Sequence, residues 1–423
     1  MVINKWKGQS KAREEAAKNS RKGNQQKKTK QTRNGRDDDE DEDGPINRKQ
    51  QQLVLNLFKN TFSDVLTSDN FQGTLQAVKQ ALYGREFAKA FGDPEYLAVY
   101  AARWSPTRAL CYATVFRGIQ QHLREILVST PGDDQKQTQD QDQTQESEQP
   151  EQESSPALAA DILNVLSIGG GAAEIVAFGA FLSQFQSKAR RSSAESSSTP
   201  VQQPAGSITL LDSGPWADVV SQLQTTLTTA PPVSKYASAA VREAEAVPMV
   251  HPSRLTSRFI QQDAFSLGRE GLGKLINPQN TKKPLLVTLL FTLNELFTAG
   301  GIGKTTRFLL DLTSVVPPGT LLLVVDSPGS YSEATLGKEA KKYPMQWLLD
   351  RIMSGTEVDP VEGIRWARLE SRDSVWFRLG NSSSGSEENE ESNIGGLDYP
   401  IPLENMRYQM HLYKAEDASI SKD

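Results

Sequence analysis

One segment, residues 161–178 (DILNVLSIGGGAAEIVAF), constrains the fold of this chain more than any other. An apolar run stops at Gly169, Gly170 and Gly171, then restarts at helical spacing. That order is strand, tight turn, helix. Without Cβ atoms the glycines let main chain approach a ligand closely, at a helix start whose dipole favours negative charge. The segment therefore reads as a cradle for a nucleotide or cofactor, with a purely structural turn as the plainer alternative.

From there to residue 416 short apolar runs alternate with helical patterns, which predicts a parallel sheet covered by helices. Strands are expected near 164–168, 208–212, 257–261, 285–291 and 321–326. Two late runs, 375–379 and 408–413, are expected to pair as an antiparallel hairpin. Residues 46–130 read instead as an all-α domain. Val54, Phe58, Phe62 and Val65 form one stripe and Leu75, Val78 and Leu82 another. A third helix is expected after Ser105 as cap and Pro106 in the first turn, carrying Tyr112, Phe116, Ile119, Leu123 and Ile126. The α/β domain is assigned to 157–416.

Four tracts lack apolar periodicity and are expected to be disordered: the tail 1–45, the Gln/Asp/Glu tract 131–156, and insertions at 190–206 and 381–395. A short tail, 417–423, closes the chain. The net charge of −5 hides an asymmetry in the first tail, which is basic through Arg36 and acidic from Asp37. Lys27, Lys28, Lys30, Arg33 and Arg36 suit a nuclear or nucleolar address or an RNA-binding arm; a solvated tail is the bland alternative. Cys111 is the single cysteine, which points to a reducing compartment, and the three histidines are scattered, which argues against a metal site. No apolar stretch reaches the ~18 residues of a membrane-spanning helix, and no secretory signal is expected.

The chemistry-bearing residues fall at strand ends. A dinucleotide fold asks for G-x-G-x-x-G, and here the last position is Glu174, an unwelcome neighbour for a pyrophosphate. The looser G-x-G-x-(G/A), completed by Ala173, suits a cofactor without phosphates such as S-adenosylmethionine. Asp212 ends the second run and is placed to accept both ribose hydroxyls; capping the next helix is its plainer role. Asp263, with the Ala264 N–H, ends the third and can read an adenine edge, or cap a turn. The fourth run leads to Asn294 and Glu295, candidates to orient or deprotonate an acceptor, or to cap the following helix. Gly303, Lys304 and Thr305 resemble a P-loop, but its first glycine falls on Thr298. Arg103, Trp104 and Arg108, near a helix start, suit phosphate contact and base stacking, although Trp104 and Tyr112 also suit a core.

Five segments carry a resemblance to a known family: RWSPTRALCYATVF at 103–116, LSIGGGAAEIVAF at 166–178, LLLVVDSPGSYSE at 321–333, YPMQWLLD at 343–350 and YPIPLENMRYQMHLY at 399–413. The chain resembles the fungal large-subunit (25S) ribosomal RNA uridine-N(3) methyltransferases across most of 47–414. The resemblance implies a seven-stranded class I methyltransferase fold, S-adenosylmethionine as donor, large-subunit rRNA or a preribosomal particle as partner, and a nucleolar role. It places Gly169, Gly170 and Gly171 against the methionine part of the cofactor, Asp212 at its ribose and Asp263 at its adenine. Ser167 stands where the wider superfamily carries an acidic residue.

Uridine N(3) carries a proton that must leave as the nitrogen attacks, so a base is needed: Glu295 is the first candidate and Asp326, at the fifth strand's end, the second. Because N(3) is used in pairing, the target must be unpaired or flipped. Two other readings stand beside this one. The first is a non-catalytic assembly factor on the same fold, the second an NAD-dependent oxidoreductase resting on the glycine turn and Asp212 alone.

Overall fold

The apolar run before the glycines forms β1 (Ile162–Ile168), buried along its last four residues. A strand covered on both faces needs such a continuous apolar run, because helices take the place of water on either side. The computed structural model describes residues 46–128, 162–192, 204–231, 247–278, 282–329, 331–336, 339–354, 363–380 and 396–418. All belong to one unit, Asp43–Asp423. The expected tail 1–45, which includes Lys27, Lys28, Lys30, Arg33 and Arg36, and the tracts 131–156 and 381–395 lie outside the described residues. So does most of the tracts 190–206 and 417–423.

β1 pairs in parallel with β2 (Ala205–Asp212) and with β4 (Leu286–Leu290). Parallel β3 (Leu255–Gln261) and β5 (Leu321–Asp326) extend the sheet outward. A second small sheet pairs β6 (Tyr331–Leu336) with β7 (Glu339–Pro344), which the sequence reading missed. β8 (Ile364–Phe377) and β9 (Met406–Asp417) complete the main sheet as antiparallel strands. Its order is β3-β2-β1-β4-β5-β9-β8. The seven-stranded α/β expectation holds, and the chain reverses its direction of travel across the sheet between β1 and β4. Ligands of doubly wound folds bind beyond the carboxyl ends of the strands at such a switch point.

The helices set the walls. N-terminal to the sheet lie α1 (Arg48–Thr61), α2 (Ser63–Thr67), α3 (Phe71–Tyr83), α4 (Phe87–Gly92), α5 (Pro94–Arg103), α6 (Ser105–Gly118) and α7 (Gln120–Val128). The expected third helix is divided near Ile119, and Ser105 opens α6 rather than capping it: the cap position is Trp104, with no side-chain bond. The sequence reading passed over α4 and α5; α5 starts at an Asp93 cap that accepts the Glu95 N–H, with Pro94 at its first position. After the glycines comes α8 (Ala172–Ser192), and α9 (Ala217–Thr228) follows β2.

α6 lies along α8, where Phe116 meets Phe178 and Phe181 edge-on at centroid distances of 6.5 and 6.1 Å. One core thus runs from α1 through α9 to the sheet, and each fully buried phenylalanine in it is worth about 1.5–3 kcal/mol. The opposite face is covered by α10 (Gly268–Ile276), α11 (Leu293–Thr313) and α12 (Met345–Ser354), which close a second core over β4 and β5. The P-loop-like residues sit inside α11, beyond a kink at Gly301.

Candidate active site

A cavity of about 630 Å³ opens at the carboxyl ends of β1, β2 and β4, and α4 to α6 supply its outer wall. Gly169, Gly171, Asp212, Asp263, Ala264 and Glu295 all line it, and so does Arg108. The volume is in the range of small-molecule sites.

The glycines are required by what they touch. Gly169 has φ +71°, and a Cβ there would lie 2.3 Å from Thr292 Oγ1. A Cβ at Gly170 would meet Ser167 Oγ at 2.5 Å, and one at Gly171 the Trp216 ring at 3.0 Å. Gly170 therefore faces the sheet and not the cavity. The loop's amides are already satisfied within the protein, which corrects the expectation that they face a ligand. The Gly169 and Gly170 N–H groups point to the Leu211 carbonyl (2.7 and 3.3 Å), and the Gly171 N–H donates to Glu174 Oε2 at 2.8 Å. A carboxylate thus covers the helix start. Such a site repels a pyrophosphate and welcomes a cation, so the geometry turns against the dinucleotide reading.

Asp212 ends β2 with its Oδ1 accepting the Gly214 N–H at 2.7 Å, and it also bonds the Trp216 side chain. Burial raises its carboxyl to about 6 despite these donors. The Gln262 N–H donates to the Asp212 carbonyl at 2.8 Å, which holds the second and third strand ends side by side. Asp263 is exposed and caps a short turn through the Phe265 N–H (3.0 Å), so its plainer role is realised while it still lines the cavity.

Arg108 organises the charge. Its guanidinium sits 5.5 Å over the Tyr100 ring and 5.1 Å over Phe291. Burial opposes its charge, but Tyr100, Tyr112, Glu295 and Glu174 together hold it well above the ordinary arginine value. Burial raises the Glu174 carboxyl to about 7, against the Gly171 hydrogen bond. Burial likewise raises Glu295 to about 7, with Arg108 pulling the other way and Asp212 and Asp326 adding to the rise. Tyr100 is pushed up to about 12, chiefly by burial, and remains a neutral phenol.

Two of the expected catalytic residues lie elsewhere. Asn294 is in the first turn of α11, because β4 ends at Leu290, and its backbone N–H donates to Asp326 Oδ2 at 3.0 Å. The other oxygen of Asp326 accepts the Ser327 N–H at 2.7 Å. This carboxylate is buried, raised by burial to about 6, and neither it nor Asn294 lines the cavity. Asp326 ties β5 to the start of α11. Ser167 is also inward, its Oγ accepting from Thr288 Oγ1 at 2.9 Å.

Arg103 and Trp104 line a second cavity of about 190 Å³ with Thr107, Asn405, Met406 and Arg407. Arg108 and Phe291 line both cavities. Arg103 is buried and ion-paired with Glu404, so its charge is already matched. Sequence reasoning missed the aromatic wall formed by Phe91, Tyr100 and Trp216, whose ring centroids lie 5.1 to 6.2 Å apart. It also missed the role of Glu174. A glutamate three residues into a helix that reaches back to the cap amide is half of a capping box, and that signal was readable.

Among the described residues no group of histidine, cysteine and carboxylate side chains could hold a metal ion, and no helix is long and apolar enough to cross a membrane. Carboxylates at Glu174, Glu295 and Asp212 with cations at Arg108 and Lys304 make a cavity for a small zwitterionic ligand with a cationic centre. S-Adenosylmethionine, with its sulfonium, ammonium, carboxylate and sugar, fits that description.

Comparison with known proteins agrees. The sequence matches the SAM-dependent methyltransferase family Methyltransf_34 over residues 58–414. It is 31% identical over 376 residues to the 25S rRNA (uridine(2843)-N(3))-methyltransferase of Saccharomyces cerevisiae, covering 86% of this chain and 85% of that one. Among solved structures, an O-methyltransferase family protein from Burkholderia thailandensis matches at 11% identity and TM-score 0.29, over 83% of this chain and 74% of that chain. The 16S rRNA (adenine(1408)-N(1))-methyltransferase from Catenulisporales acidiphilia matches at 12% identity and TM-score 0.27, over 61% and 90%. Overlaps that weak carry no argument; the strand order and the family match do. The chain belongs to the SAM-dependent methyltransferase family, and S-adenosylmethionine is its cofactor.

Proposed function

We propose that the chain methylates N(3) of a uridine in large-subunit rRNA, acting on a preribosomal particle in the nucleolus. The observation that carries this reading is the yeast relative, a 25S rRNA uridine-N(3) methyltransferase aligned over 86% of the chain. The cavity supports it, because Glu295 is a carboxyl near 7 on the same wall as Phe291 and Arg108. General bases work best with a pKa close to the working pH.

Bound S-adenosylmethionine supplies an electrophilic methyl group on a positively charged sulfur. Asp212 binds the ribose hydroxyls, Asp263 and the Ala264 N–H meet the adenine, and Arg108 receives the cofactor's carboxylate. Glu295 would accept the N(3) proton of a uracil presented to the bound cofactor's methyl group. Phe291 and Trp104 flank the way in for an unpaired uracil. The sugar and carboxylate contacts are charge-assisted hydrogen bonds worth ~1.5–3 kcal/mol each.

The test is transfer of labelled methyl from S-adenosylmethionine to large-subunit RNA taken from cells lacking the chain, followed by digestion to nucleosides. Label in 3-methyluridine is expected. Label in another nucleoside overturns the target, and no label with intact cofactor binding favours a non-catalytic assembly role.

A further inference from the structure

β9 runs against β5 in register Asp326↔Gln409, so its first residues, Met406, Arg407 and Tyr408, project past the carboxyl end of β5 toward the cofactor side of the sheet. There β8 places Trp376 directly opposite Arg407. Directly opposed residues share a face. The next residue, Phe377, is buried, and this alternation turns Trp376 outward with 55% of its surface exposed. A tryptophan so exposed contributes little to a core. Two guanidinium groups lie over its ring, Arg378 at 5.5 Å and Arg407 at 5.7 Å.

Arg407 is held in place by its Nε, which donates to Ser374 Oγ at 2.8 Å. Among the described residues no carboxylate lies within ion-pair distance of it. Arg407 also lines the second cavity, whose far wall is Arg108 and Phe291, the same pair that bounds the cofactor cavity. Arg407 thus links the exposed ring to the second cavity, and Arg108 and Phe291 link that cavity to the larger one.

We propose that the outer end of the β8–β9 hairpin is a docking surface for single-stranded RNA flanking the target nucleotide, with Trp376 stacking on a base and Arg407 contacting the phosphate chain. The second cavity then leads the target base to the cofactor. Single-strand binders combine these two elements, a stacking ring and cations along the backbone. The inference rests on the rRNA reading above and adds where the strand enters.

The test uses the full chain, saturated with S-adenosylhomocysteine, and a fluorescent single-stranded oligouridine RNA titrated across a potassium chloride series. The basic residues of segment 1–36 are common to parent and variants, so differences report the hairpin. Trp376→Ala is expected to weaken RNA binding about fivefold or more, the lower bound for a lost base stack. Trp376→Phe, which keeps a ring, retains most of the affinity. Arg407→Ala is expected to reduce the slope of log K against log salt by ~0.7, the value for one lost phosphate contact on a single strand. Arg365→Ala, at the other end of β8 and paired with Glu416, leaves binding unchanged. S-Adenosylhomocysteine affinity equal to the parent's in every variant shows that fold and cofactor site are intact. Parental RNA affinity and slope in both Trp376→Ala and Arg407→Ala overturn the docking surface while leaving the rRNA reading standing. A parent chain that binds S-adenosylhomocysteine but no RNA sinks both.

Discussion

The Arg108 guanidinium lies 5.1 Å over the Phe291 ring, and this pair lines both the larger cavity and the arginine-lined cavity beside it. Phe291 holds its place at a cost, since its backbone is left-handed (φ +59°) for a bulky residue. Such strain amounts to about 1–3 kcal/mol and persists where surrounding structure dictates it. Here the Phe291 N–H is pinned to the Val325 carbonyl at 2.7 Å, which aims the ring across the end of β4.

If Arg108 receives the cofactor's carboxylate, its removal discriminates between ligands. Arg108→Met is expected to lower affinity for S-adenosylhomocysteine by on the order of tenfold to a hundredfold, the worth of a charge-assisted hydrogen bond. Binding of methylthioadenosine, which has no carboxylate, changes little. Calorimetry with both ligands reads the difference, and equal losses contradict the assignment.

Asp212→Ala is expected to weaken S-adenosylhomocysteine and methylthioadenosine alike, each at least about tenfold, because both carry the ribose. The same calorimetric series checks this.

Single-turnover methyl transfer should rise with pH through about 7, where Glu295 loses its proton. Glu295→Gln removes that limb of the profile and lowers the rate by about a hundredfold or more, the usual contribution of a general base. An unchanged profile in Glu295→Gln assigns the proton to another group.

Burial raises Glu174 from 4.5 to about 7, so the folded chain binds its proton more tightly than the unfolded chain does. With the folded value raised, the stability contributed by the protonated carboxyl is fully present below about 4.5 and is lost as pH rises through 7. Glu174→Gln should flatten the dependence of the urea midpoint on pH between 5 and 8; a dependence identical to the parent's counts against it.

Gly169→Ala puts a Cβ 2.3 Å from Thr292 Oγ1 on a backbone with φ +71°. Overpacking and strain together predict a loss of about 2–5 kcal/mol, read as a lower midpoint in urea. Thr292→Ala removes the Oγ1 and Cγ2 collisions and recovers part of the packing loss, while the Thr292 Cβ contact at 2.9 Å and the strain remain.

The parallel strands β1, β2, β4 and β5 are legible in the sequence because each carries an apolar run ending at a turn, and the strand-end aspartate at 212 follows from that pattern. β8 was recognised only at its end. As an edge strand with two register shifts, IRWARLESRDSVWF keeps a largely exposed, charged pattern with no clean alternation. A carboxylate at a strand end, such as Asp326, looks the same in sequence whether it faces a ligand or caps a neighbouring helix. Only the Asn294 and Ser327 amides distinguish the two. The position of Arg108 depends on α6 packing along α8, a long-range contact to which no local spacing points.

The most direct test of the whole account is mass spectrometry of nucleosides from large-subunit rRNA in cells whose only copy of this chain carries Asp212→Ala. Loss of 3-methyluridine, with the mark regained when the parent chain is returned, is the predicted result. Full persistence of 3-methyluridine in those cells contradicts it.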